Sequence, residues 1–265
     1  MSESLEDEHS EDEDVIGPTE NEKIPVVIGH VFDQNCQAPA WYERYSPRPY
    51  DLPSACRTMR NDRRLETAIT LPSFSAPNCR SLGPKLNNVI EDMTMREVDI
   101  ALCSETWEKA TSKTFQKKVE NIAETKGIKM ISYPRKYQRG GGVCILADMT
   151  KVDILEVVTA NPDNVEAIFT IVKPKNSATF KEIITFAFYS PPRSKKKTKL
   201  IDHLVTTIHS LLSRFPKAGI MGGGDRNCLN LSPLLAAVPN LQNVQHQPTL
   251  KGKNLDVLLT TMAPF

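Results

Sequence analysis

No CxxC pair and no tight cysteine cluster occurs among the six cysteines, at positions 36, 56, 79, 103, 144 and 228. A structural zinc site needs closely spaced ligand pairs, so that class is excluded, and the cysteines read as free thiols in a reducing compartment. No run approaches the roughly 18 apolar residues of a membrane span. No charged-then-apolar leader opens the chain; its first residues are acidic. The expectation is a soluble intracellular protein, nuclear or cytoplasmic, neither secreted nor in a membrane. No internal repeat is visible, and no low-complexity tract beyond the acidic start.

Charge of either sign is not lacking, but it is unevenly placed. The formal net charge of +1 over 265 residues hides an acidic tail. Residues 1–24 hold ten Asp or Glu against one Lys, and the remaining 241 residues carry 32 basic and 22 acidic side chains. A basic body suits a polyanionic partner. The tail cannot bury enough apolar surface to fold and reads as disordered. Residues 25–70, with "APAWYERYSPRPYDLPSACR", are rich in Pro, Tyr and Arg without a period, and read as an irregular arm or linker. Its aromatic and arginine side chains are of the kind that stack on bases.

From residue 71 the pattern turns regular. "GPKLNNVIEDMTMREV" has helical spacing, with Leu86, Val89, Ile90 and Met93 on one face. "FQKKVENIAETKG" reads as an amphipathic helix stopped by Gly127. "KKKTKLIDHLVTTIHSLLSRFP" reads as a long helix, with Leu200, Leu204, Ile208, Leu211 and Leu212 apolar. "LSPLLAAVP" reads as a short one. Strands are expected in "AITLPSFSAPNCRS", which ends in a loop, in "DIALCSETW", which closes on Glu105, in "RGGGVCILAD" after a glycine turn, and in "IKMISYP", "KVDILEVVTA", "VEAIFTIVKP", "EIITFAFYSPP", "AGIMGGGD" and "LDVLLTT". This is an α/β layout with polar residues on strand-end loops.

Those polar residues are Asn78, Glu105, Tyr189, Asp225, Asn227 and Asp256. Each ends or follows an apolar run. A hard cation such as Mg²⁺ takes one or two carboxylates and fills its other positions with water and phosphate. Glu105 suits that task. Asp225 could orient or deprotonate a water, while Asn78 and Asn227 could donate to a phosphate. In "GIMGGGDRN" the glycines are expected to let the backbone turn at the sheet edge. Asp225 and Asn227, two apart, are then expected to project from one side into a cleft. Singly, each has an ordinary reading, since an Asp after Gly is usually a turn residue. The ordered set carries the functional one.

That set resembles a known family. "NCRSL", "DIALCSETWE", "RGGGVCIL", "FYSPPRSKKK", "GGGDRN" and "QPTLKGKNLDVLLTT" look like the endonuclease/exonuclease/phosphatase domain, deoxyribonuclease I-like, in the variant at the N-terminus of non-LTR retrotransposon polyproteins. The resemblance covers residues 72–265. It implies a four-layered α/β/β/α sandwich with the site at one end of two packed sheets, as part of a longer reverse transcriptase polyprotein. It implies Mg²⁺ or Mn²⁺ as cofactor, with Glu105 as principal ligand and Asn78 near metal and phosphate. Tyr189 would position the scissile phosphate, Asp225 would activate the nucleophile, and Asn227 would support the transition state. Thr249 and Asp256 would shape the site from the second sheet.

Three departures stand out. Arg226 occupies the centre of the more usual Gly-Asp-Phe-Asn motif, and Cys228 follows where a polar residue is common. The family's terminal Ser-Asp-His element, with its last strand, is missing, which implies truncation. A lost general acid/base typically costs 10²–10⁴-fold in rate; His246 is the nearest substitute in sequence.

"PPRSKKKTK" adds Arg193, Lys195, Lys196, Lys197 and Lys199 directly after Tyr189. With Arg226 they would give sequence-independent contacts to the phosphates of DNA. The expected function is therefore a metal-dependent phosphodiesterase, foremost a DNA-nicking endonuclease domain. The alternatives are an inactive remnant or domesticated nucleic-acid-binding protein, and third a small-substrate phosphatase. The basic rim disfavours the third.

Overall fold

A computed structural model describes residues 28–29, 71–108, 112–134, 140–162, 165–177, 180–245 and 255–262. The acidic tail, nearly all of the arm, Thr249 and His246 lie outside the described residues.

Two mixed sheets pack face to face. The first has strand order β1-β2-β3-β5-β4, built from β1 (Ile28–Gly29), β2 (Phe74–Ser75), β3 (Ile100–Ser104), β4 (Ile128–Tyr133) and β5 (Val143–Asp148). The second has order β10-β11-β9-β8-β7-β6. Its strands are β6 (Val152–Val158), β7 (Glu166–Pro174), β8 (Ile183–Tyr189), β9 (Gly219–Asp225), β10 (Gln242–Asn243) and β11 (Asp256–Thr260). Helices α1 (Leu82–Met95) and α2 (Lys113–Lys126) cover the first sheet, and α3 (Lys197–Arg214) and α4 (Ser232–Ala237) cover the second. This is the expected four-layered sandwich. Among the described residues no helix is long and apolar enough to cross a membrane.

Three apolar layers follow from the strand period of two. On β3, Ile100 and Leu102 face the second sheet, together with Ile168, Val172, Ile183 and Leu258. Ala101 and Cys103 turn the other way, to Leu86, Val89 and Ile90 of α1. On β8, Ile184, Phe186 and Phe188 pack under Leu204 and Ile208 of α3. The helix faces read from spacing are the buried ones, joined by Leu82 on α1 and Ile201 on α3. Leu212 is only partly buried. Helix α2 is capped by Ser112, whose side chain accepts from the Phe115 N–H, and stops at Gly127 in the left-handed region with φ 65°.

The glycine run is corrected by the structure. Gly222, Gly223 and Gly224 make no turn; they lie inside β9, between β11 and β8. What they supply is room. A Cβ at Gly222 would stand 2.0 Å from the Phe186 ring, and one at Gly223 would stand 2.8 Å from Cβ of Ala76 and 3.1 Å from Leu102. Gly223 thus lets the two sheets approach closely, directly behind Asp225 and Glu105.

Candidate active site

Five of the strand-end residues named above converge where both sheets end, and a sixth lies at the start of β11. Asp225 is the last residue of β9; its register partners are Tyr189 on β8 and Asp256 on β11. From the first sheet, Asn78 bridges in parallel to Ser104, and Glu105 follows at once. The two sheets are tied across their gap by Asn78, whose Nδ2 donates to Asp225 Oδ2 at 3.0 Å. Close packing at Gly223 is what brings these groups within reach.

Asn227 joins the set through a turn. It lies beyond β9 with φ 45°, and its N–H donates to Asp225 Oδ1 at 2.9 Å. Its side-chain Nδ2 donates to the Ser190 carbonyl at 2.9 Å. Asp225 and Asn227 therefore meet by an Asx turn, not by strand alternation. Tyr189 is buried and packs in the layer between the sheets.

Electrostatics mark the same spot. Burial, then the charge of Asp256, push the Asp225 carboxyl up to about 7; Glu105 adds to this, and hydrogen bonds from Asn227 oppose it. Carboxylates crowd here, with hard oxygen donors in reach. Asn78 Oδ1 accepts the Arg80 N–H at 3.3 Å and keeps a second lone pair. Among the described residues no three His, Cys, Asp or Glu side chains form a cage for a cation. Mg²⁺ binds through one or two carboxylates and keeps water and phosphate oxygens. Glu105 and the Asn78 amide oxygen are hard oxygen donors of that kind, and Glu105 stands near enough to Asp225 to act on its charge, so the residues fit the group.

The first-sheet rim is unusual in its backbone. Arg80, Ser81, Glu105 and Trp107 all have positive φ, between 39° and 75°. Such conformations cost on the order of 1–3 kcal/mol each and persist only where surroundings hold them. Hydrogen bonds do so: Ser81 N to Glu105 O at 2.9 Å, Leu82 N to Thr106 O at 2.8 Å, and Trp107 N to Gly141 O at 2.8 Å. One participant escaped the sequence reading. Glu166, at the start of β7, is buried, and its carboxylate accepts the Gly142 N–H at 2.5 Å. The available signal was a single charge opening an apolar strand.

The basic run packs beside the site. Lys197 Nζ donates to the Cys228 carbonyl at 3.2 Å, in the turn that follows Asp225. Arg193, Lys195 and Lys199 are exposed, while Lys196 and Lys197 are half-buried. Arg226 is anchored through its backbone N–H to Leu255 O at 2.8 Å. On the outer side of the first sheet, a cavity of about 310 Å³ is lined by Glu108, Phe115, Val119 and Met130 among others. Burial pushes Glu108 up to about 7.

The sequence matches no family model and no curated protein. The fold does match solved structures. The human Nocturnin catalytic domain, determined with a bound sulfate anion, is similar with a TM-score of 0.53, at 13% identity over 70% of this chain and 79% of that one. An endonuclease/exonuclease/phosphatase family protein from Bacteroides thetaiotaomicron has a TM-score of 0.50, 13% identity and coverage of 68% and 74%. One from Bacteroides vulgatus has 0.50, 14%, 68% and 80%. The architecture is thus the deoxyribonuclease I-like one of these proteins, and at such identities the likeness is one of fold.

Proposed function

We propose that this chain is a divalent-metal-dependent phosphodiesterase, a DNA-nicking domain of the non-LTR retrotransposon type. The observation that carries the reading is the cross-sheet pair of Asn78 and Asp225, with Glu105 and Asp256 close enough to raise the Asp225 pKa. Glu105 and the Asn78 carbonyl oxygen would hold Mg²⁺ or Mn²⁺. The ion would neutralise charge developing on the phosphate. Asp225, poised near neutrality, is matched to take a proton from water. That water's oxygen forms the new bond to phosphorus, the bond to one sugar oxygen breaks, and solvent returns a proton to the leaving oxygen. The turn that brings the Asn227 N–H to Asp225 fixes the orientation of the base. The basic run, held against the same turn by Lys197, supplies contacts to flanking DNA phosphates.

The test is nicking of supercoiled plasmid with Mg²⁺ or Mn²⁺, with chelator, and with Glu105→Ala and Asp225→Ala. Nicking that needs the metal and both carboxylates supports the reading. Tight plasmid binding by a folded chain that never nicks would replace it with a nucleic-acid-binding protein. Turnover of small phosphomonoesters without nicking would replace it with a phosphatase.

A further inference from the structure

We infer that Glu166 is a positioning residue: it holds the backbone that presents Glu105, from the opposite sheet. This rests on the reading of Glu105 as the principal ligand-bearing carboxylate. The chain of contacts is short. Glu166 accepts the Gly142 N–H at 2.5 Å. The carbonyl of Gly142 accepts the Thr106 N–H at 3.3 Å, and that of Gly141 accepts the Trp107 N–H at 2.8 Å. Thr106 follows Glu105 directly, so one carboxylate of the second sheet sets the far wall of the Glu105 loop.

Three features make an anchor necessary at this place. Gly140, Gly141 and Gly142 have φ of 81°, 71° and 83°. Three consecutive left-handed glycines have little local preference for that shape and lose the most conformational freedom in taking it. Glu105 and Trp107, at φ 51° and 53°, are left-handed without being glycine, so they too need to be held. Third, Glu166 is buried at the head of a strand whose following residues, Ala167, Ile168 and Phe169, are fully buried and apolar. A buried carboxylate is costly unless hydrogen-bonded, and a charge-assisted bond to a backbone N–H is about twice as strong as a neutral one. Placement adds a further link. Glu166 stands opposite Tyr189 in the β7–β8 register, and Tyr189 stands beside Asp225. Glu166 therefore relates the Glu105 loop to the strand ends that carry Asp225, complementing the Asn78 bond on the other flank.

The test is backbone amide exchange in the full chain, without metal or DNA, for wild type, Glu166→Gln and Glu166→Ala. In Glu166→Ala, exchange at Gly142, Thr106 and Trp107 is expected to quicken about tenfold or more, with β8 and β9 amides unchanged. Gln keeps an acceptor but loses the charge, so the same three amides should quicken by about threefold. Mn²⁺ binding, read by electron paramagnetic resonance, should weaken about 10–100-fold in Glu166→Ala and recover most of the way in Glu166→Gln. Should Glu166→Ala not fold, Glu166→Gln decides: loss of protection at Gly142 alone, with Thr106 and Trp107 unchanged, overturns the coupling. Unchanged protection at all three in folded Glu166→Ala overturns it as well. Because exchange needs neither metal nor DNA, a chain that never nicks but shows these changes loses the nuclease reading and keeps this one. A nicking chain without them does the reverse.

Discussion

Asp225 and Glu105 reach the same rim on different kinds of backbone. Asp225 ends a regular strand, with neighbours in register on both sides and a buried carboxyl. Its position is inherited from the sheet. Glu105 has left the strand, is half-buried, and sits in a left-handed conformation held by hydrogen bonds that tie residues 105–107 to two other segments, 81–82 and 141–142. Its position depends on loops. The two carboxylates should therefore fail differently. A change at Asp225 removes a group from a rigid frame and leaves the frame intact. A change near Glu105 moves the group itself. Proton transfer needs fixed geometry, whereas a hydrated cation tolerates some adjustment of one ligand when waters fill the remainder.

The largest effect expected from this contrast is on nicking. On the proposed reading of Asp225 as the proton acceptor, Asp225→Asn should lower the rate about 10²–10⁴-fold at every metal concentration. Glu105→Gln should lower it steeply at low Mn²⁺ and recover in part as Mn²⁺ is raised, because an oxygen donor remains. Rate against Mn²⁺ for both variants checks this; parallel curves would break the contrast between a fixed and an adjustable side.

Next comes the packing that brings the two sides together. Gly223→Ala places a methyl 2.8 Å from Cβ of Ala76 and 3.2 Å from the Val257 carbonyl, neither of which can swing aside. Overpacking of this kind costs about 1–3 kcal/mol, and here it would also widen the gap that the Asn78–Asp225 bond spans. The double variant Gly223→Ala with Ala76→Gly should regain most of the lost stability and activity. Thermal melts with nicking assays on the three variants check both.

Much of this was legible beforehand, for reasons that differ by element. Helices α1 and α3 announced their buried faces by spacing, because a helix against a sheet needs one apolar stripe. Strands β7 and β8 showed as continuous apolar runs, since both their faces are buried. Strand β10 has two residues, too few for any period. The glycine run was visible but its purpose was not. A sequence shows that Cβ atoms are missing, not that Phe186 and Ala76 stand opposite. In the site, strand-end acids and amides were readable as local punctuation. The Asn78–Asp225 bond, between residues of different sheets, was not, nor was Glu166, whose charge looks like an ordinary strand boundary until Gly142 is seen beside it.

Smaller effects follow from titration. Folding raises Asp225 to about 7 from an ordinary value near 3.9, and raises Glu108 to about 7 by burial. The folded chain then binds more protons than the unfolded one between those limits, so stability falls as pH rises. As far as these two groups decide, the metal-free protein should therefore be most stable below about pH 4 and lose that contribution as pH climbs through about 7. Asp225→Asn should flatten the slope and raise the melting temperature in chelator at pH 8 by a few degrees. Melting curves from pH 4 to 8 in chelator test it; a wild-type slope unchanged in the variant would show that Asp225 is not the crowded group. Glu105→Gln should change the slope less, because Glu105 stands behind burial and Asp256 among the influences on Asp225.

The smallest expected effect concerns the basic run, and it sharpens the contrast from outside the rim. Lys195 and Lys199 are exposed, whereas Lys197 is tied to the Cys228 carbonyl in the turn after Asp225. Exposed lysines that meet phosphates contribute affinity through counterion release and carry no information about the reacting bond. Lys195→Gln with Lys199→Gln should lower the magnitude of the slope of log affinity against log salt by about 0.9 per lost contact, with the nicking rate at saturating DNA unchanged. Lys197→Gln should leave the salt slope closer to wild type and lower the saturated rate, because its bond steadies the turn that aims Asn227 at Asp225. Fluorescence anisotropy with a labelled duplex at several salt concentrations gives the slopes, and single-turnover nicking gives the rates. If Lys197→Gln changed only the slope, the Asp225 side would owe its rigidity to β9 and its register partners alone, and the basic run would be a surface feature of the DNA path.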